Sequence, residues 1–155
     1  MKKFFVSDNP VIVSVVILTF IFLLLSILHF YWAFGGRLWY KDVLPTNSKG
    51  LNRMNPRKVG TLFVAFGLLF FALLTLAATG LFDKFIQQRY LRFGALLIMF
   101  IFLLRAIGDF RFVGFFKTVK TSRFAINDTR FFSPLCLFIA LLSLLIFIYG
   151  NKMSP

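Results

Sequence analysis

The chain contains no glutamate, one cysteine and one histidine, and its five aspartates face 18 lysines and arginines, a formal net charge of +13. Single copies of Cys and His exclude an intrachain disulfide, a Cys/His zinc cluster and bis-histidine haem ligation within one chain. No HExxH, nucleophile elbow or phosphate-binding glycine loop occurs either. The residues therefore imply no metal and no cofactor. Long polar stretches are scarce as well: 59% of the chain is hydrophobic, mean hydropathy is +0.86, and 24 of 155 residues are phenylalanine. A soluble domain of this size could not hide so much apolar surface, so the chain reads as an integral membrane protein. The cationic excess then points to anionic lipid headgroups, and nucleic acid is excluded as the main partner because the cations divide between two membrane faces.

A hydrocarbon core of about 30 Å needs about 20 apolar residues of helix, and only helices satisfy their own backbone there. Four stretches qualify, at about 11–34, 59–81, 91–113 and 133–149, and together they predict an all-α, four-helix membrane bundle forming a single domain over 1–155. The first could pass for a signal peptide, but its apolar run is too long for a cleavable one. Asn55-Pro56 and Ser133-Pro134 read as helix starts, and Gly150-Asn151 as a stop. In the third stretch the uninterrupted apolar run, Phe93 to Leu104, is too short to cross. Its helix is therefore expected to carry Arg105 and Asp109 into the membrane and to emerge through Val113. In the second, Ala65, Ala72 and Thr79, together with Gly60 and Gly67, form stripes of small residues suited to close helix packing.

Eleven basic residues fall in the loops after the first and third spans, against six on the opposite face. This asymmetry predicts that both long loops are cytoplasmic and both termini outside. Phe112, Phe115, Phe116 and Val119 recur at helical spacing, with Lys117 and Lys120 elsewhere on the wheel. They predict a short interfacial amphipathic helix between spans three and four, and Arg111, Lys117, Lys120 and Arg123 are the expected headgroup contacts. Trp39 and Tyr40 fit an aromatic belt.

Ionisable residues within spans are costly and mark interior or functional positions. Arg105 and Asp109, four apart on one helix face, are expected to neutralise each other. His29, Trp32 and Asp128 fall by topology at the same end of the bundle, so His29, Trp32, Arg105, Asp109 and Asp128 form the candidate polar site. Cys136 reads as a small buried hydrophobe.

His29-Phe30-Tyr31-Trp32-Ala33-Phe34-Gly35-Gly36, Val43-Leu44-Pro45-Thr46, Arg105-Ala106-Ile107-Gly108-Asp109-Phe110 with Val113-Gly114-Phe115-Phe116, and Asp128-Thr129-Arg130 with Ser133-Pro134-Leu135-Cys136 together resemble a bacterial membrane family of unknown function, domain-of-unknown-function family 3995. The resemblance implies a small multi-span bacterial membrane protein, with no activity, substrate or catalytic residue attached. The favoured function is a non-catalytic protein of the bacterial inner membrane, whose polar cluster clips the bundle and whose basic loops grip anionic lipid, a membrane-protein partner or a second copy of the chain. The alternatives are an intramembrane enzyme acting on a lipid or lipid-soluble substrate, with His29 and Asp109 in proton chemistry and Arg105 on an anionic group, and a transporter or channel subunit.

Overall fold

A computed structural model describes residues 10–44, 58–79 and 86–150. The described residues are helical or irregular, with no strand among them. The elements are α1 (Pro10–Ala33), α2 (Tyr40–Val43), α3 (Lys58–Ala77), α4 (Gln88–Ile107), α5 (Arg123–Asn127), a five-residue π-helical turn (Asp128–Phe132), and α6 (Ser133–Tyr149). Four helical stretches are long and apolar enough to cross a membrane, the last running unbroken for 27 residues from Arg123 to Tyr149. Only 28% to 33% of each apolar segment is buried inside the bundle. The remaining faces, with Phe20, Phe63, Phe70 and Leu104 among the exposed residues, are tolerable in lipid and not in water. The Asn55-Pro56 start and the Asn151 stop lie outside the described residues.

The helices form a ring in which α3 packs on α1, α1 on α6, α6 on α4, and α4 back on α3. Polar bonds tie the α1–α3 seam. The Ser26 hydroxyl donates to the Ala65 carbonyl at 2.9 Å, and the hydroxyls of Thr19 and Thr75 lie 3.0 Å apart. The small-residue reading of α3 divides. Ala65 and Ala72 are buried against the bundle, whereas β-carbons added at Gly60 and Gly67 would meet nothing within 4 Å. Gly94 faces α3, and a β-carbon there would fall 2.7 Å from Leu74 Cδ2, so that side chain would have to move aside. At the centre, Phe22, Phe71 and Phe102 meet with ring centroids 5.5 to 6.3 Å apart.

Helix ends explain two departures from the sequence reading. α4 stops at Ile107 instead of continuing to Val113, because Gly108 adopts φ +92° and turns the chain. The helix gains its length at the other end, starting at Gln88, so its 20 residues span about 30 Å at 1.5 Å each. The fourth helix begins ten residues before Ser133. Its N-cap is Ser122, whose hydroxyl accepts from the Ala125 N–H at 3.1 Å, whereas Ser133 sits inside the helix in right-handed geometry. Residues 112–119 are bends, a turn and irregular chain, not the amphipathic helix their spacing predicts. The short helix that does occur between α4 and α6 is α5, and it runs directly into the fourth span.

Candidate functional site

The chain after α4 folds back on the helix it has just left. Gly108 N donates to the Leu104 carbonyl at 2.8 Å, and Phe115 N reaches the Ala106 carbonyl at 2.9 Å, satisfying acceptors that a helix C-terminus leaves open. The return is tight: a β-carbon on Gly108 would strike the Val113 carbonyl, and one on Gly114 (φ +88°) would strike Ile107 and Gly108. Only glycine fits these two positions. Asp109 closes the turn between them. Its Oδ1 accepts the backbone N–H groups of Arg111, Phe112 and Val113 at 2.9, 2.6 and 2.9 Å. Burial nudges the Asp109 carboxyl upward, but the Phe112, Val113 and Arg111 N–H groups outweigh it and hold the group below its ordinary value.

This arrangement corrects the expected Arg105–Asp109 pair. Asp109 lies beyond the helix and serves the loop backbone, and Arg105 turns to a residue 23 positions later. Its Nη2 donates to Asp128 Oδ1 at 2.9 Å. The other Asp128 oxygen accepts from Gly114 N at 2.7 Å and from Lys117 Nζ at 3.0 Å. Asp128 is completely buried. It opens the π-turn, in which the Ser133 N–H bonds back to its carbonyl over five residues.

Lys117 is the second correction. Expected among headgroups, it is 2% exposed, and its ammonium spends its three donors on the Gly114 carbonyl at 2.9 Å, Asp128 Oδ2 at 3.0 Å and Thr129 Oγ1 at 2.7 Å. The Thr129 hydroxyl in turn donates to the Ala125 carbonyl at 3.1 Å. The result is a buried clasp of one carboxylate and two cations joining α4, the loop and the fourth helix. A buried charge is tolerable when paired and fully hydrogen-bonded, and Asp128 and Lys117 meet that condition. Arg105 is less enclosed, its side chain 33% exposed, and its buried Nη1 has no hydrogen-bond partner among the described residues.

The other sequence candidates stand apart from this clasp. His29 Nδ1 lies 2.7 Å from the Leu25 carbonyl of its own helix, and its ring meets Trp32 edge-on at 5.0 Å. Trp32 Nε1 donates to the Leu38 carbonyl at 2.8 Å and contacts the Tyr40 ring, and α2 in turn packs on α5. Topology thus places His29, Trp32, Arg105, Asp109 and Asp128 at one end of the bundle. The structure brings Arg105 and Asp128 together, and no hydrogen bond or ion pair connects His29 or Trp32 with them or with Asp109. Cys136 is buried and free. Among the described residues no three of His, Cys, Asp and Glu gather as metal ligands.

Lys117 belongs to the clasp and not to the headgroup contacts that its helical spacing predicts. Its one signal was the Gly108 and Gly114 pair, which breaks any helix through 108–119 and frees Lys117 from the outward side of a wheel. Arg111, Lys120 and Arg123 remain exposed, together with Phe110, Phe116 and Phe131, each more than 60% open.

Searches of the curated proteins and of the solved structures returned no match. A family model described as "Protein of unknown function (DUF3995)" matches residues 22–143, a span that takes in the parallel His29 and Arg105 helix ends, the glycine-bounded loop and the Asp128 clasp, and the chain belongs to that family.

Proposed function

We propose that the protein is a non-catalytic multi-pass protein of the bacterial inner membrane, in which residues 108–123 form a prefolded platform that engages anionic lipid headgroups. One observation carries this reading: the buried Asp128 clasp fixes the loop from beneath, while Arg111, Lys120 and Arg123 and the rings of Phe110 and Phe116 stay exposed on the same stretch of chain. Basic side chains flanked by exposed aromatics suit the boundary where acyl chains meet phosphate. A preorganised loop also loses little conformational entropy on engaging lipid. The long loops are assigned to the cytoplasm on the strength of their basic excess. The proton-relay alternative finds no support in contacts here, since no hydrogen bond joins His29 to Asp109.

The test is lipid preference in nanodiscs. The full chain should enrich phosphatidylglycerol over phosphatidylcholine, and the triple variant R111Q/K120Q/R123Q should lose most of that enrichment with its thermal unfolding unchanged. Equal enrichment by the variant and the parent would defeat the reading. A C-terminal reporter active only in the cytoplasm should stay silent, and strong activity would reverse the orientation.

A further inference from the structure

Two of the long apolar helices, α1 and α4, end in turns of similar construction. The chain turns at Gly35 (φ +95°) after α1 and at Gly108 (φ +92°) after α4. Each turn then presents an aromatic ring on left-handed backbone. Among the described residues, the non-glycine residues with positive φ are Trp39 (56°) and Phe110 (60°). Their side chains are mostly open, at 61% and 62% exposed, and an exposed arginine accompanies each, Arg37 and Arg111. Left-handed backbone crowds the β-carbon of a bulky residue, whereas glycine would occupy either position freely. Such conformations persist where neighbouring groups hold them. The Trp32 indole N–H donates to the Leu38 carbonyl, directly before Trp39, at 2.8 Å. Asp109 Oδ1 accepts the N–H groups of Arg111, Phe112 and Val113, directly after Phe110.

Core packing does not explain why an aromatic stands at either position. Phe110 does meet the Phe116 ring at 6.4 Å, but Phe116 is itself 63% exposed. The surroundings identify the occupant. As alternating spans, α1 and α4 emerge at one leaflet, so both rings follow directly on apolar helices and stand beside guanidinium groups that suit lipid phosphate. We propose that Trp39 and Phe110 are a pair of interfacial anchors, held by pinned left-handed turns with their rings at the boundary between acyl chains and headgroups. The headgroup platform concerns lipid charge and the third loop, whereas the anchors concern ring depth and join the first loop to the same leaflet.

The full-length chain labelled with 5-fluorotryptophan, in phosphatidylcholine nanodiscs holding one copy, reports Trp39 directly. W39F assigns its fluorine resonance, and F110W supplies a resonance at the second position. For rings seated about 5–10 Å into the boundary, both resonances should broaden at least about twofold more with 5-doxyl phosphatidylcholine than with a water-soluble gadolinium chelate. Stronger broadening by the chelate puts the rings in water and overturns the proposal. Rings shielded from both agents only in discs holding two copies overturn it in favour of self-association. In detergent, W39G and F110G should melt above W39A and F110A, because glycine takes these φ values without strain. Equal melting within each pair removes the strain and overturns the proposal. A failed platform shows no phosphatidylglycerol preference while the rings still broaden with the lipid probe, and failed anchors show the reverse.

Discussion

Lys117 Nζ lies 3.0 Å from Asp128 Oδ2, and both side chains are shut away from water, 1% and 0% exposed. The pair links the returning loop to the fourth span, and Arg105 joins it from the third. Removing one partner of such a buried pair strands the other, which costs about 3–5 kcal/mol, far more than the pair's net contribution. Asp128→Asn leaves two cations without their anion and should cause the largest loss. Lys117→Met should follow, and Arg105→Gln should cost least because that side chain is partly open. Thermal unfolding in mild detergent should rank the melting temperatures in that order. An Arg105→Gln protein that melts below Asp128→Asn would contradict the assignment of Asp128 as the hub.

The two glycines of the loop should be irreplaceable. Gly108→Ala and Gly114→Ala place a β-carbon into neighbouring backbone at positive φ, and each should destabilise by more than about 1–2 kcal/mol. Gly67→Ala is the counterpart. Its β-carbon meets open space on α3, so it should be neutral or stabilise by about 0.5–1 kcal/mol through helix propensity. Equal effects at all three positions in denaturation measurements would refute the tight-return geometry.

Asp109 gives the loop a defined response to acid. Its folded carboxyl sits below the ordinary value of 3.8 because three backbone N–H groups favour the charged form over the cost of burial. The stabilisation is therefore complete above the ordinary value and is lost as pH falls through the lower folded one. Amide exchange at Arg111, Phe112 and Val113, corrected for its intrinsic pH dependence, should accelerate in that acid range. Asp109→Asn, which does not titrate, should abolish the step, and a step that persists would assign it to another group.

Helix contacts in the bundle should divide by steric demand more than by polarity. Gly94→Val should push the Leu74 side chain of α3 from its place and cost about 1–3 kcal/mol, the usual range for overpacking. Thr75→Val removes a 3.0 Å hydroxyl contact with Thr19 but nearly preserves shape, and interhelical hydrogen bonds within membranes average about 0.6 kcal/mol. Thermal unfolding that shows Thr75→Val to be the more damaging would invert this account.

The sequence by itself determined that four helices are long and apolar enough to cross a membrane, and their alternation places the unusual polar residues at one end. Hydropathy is a local property, and alternating spans return His29, Arg105 and Asp128 to the same side whatever their partners. Membership of the family was likewise legible, because its motifs are contiguous stretches of chain. The partner of Arg105 was not legible. Asp109 stands at the right spacing, but Gly108 ends the helix before that spacing can operate, and Asp128, 23 positions beyond Arg105, reaches it only once the fourth helix packs beside α4. Lys117 carried the signature of a lipid-facing cation as long as its segment was read as a helix. Tertiary structure decided otherwise, because the ammonium needs three acceptors to leave water, and Gly114, Asp128 and Thr129 provide them only once the loop has folded back onto the fourth span.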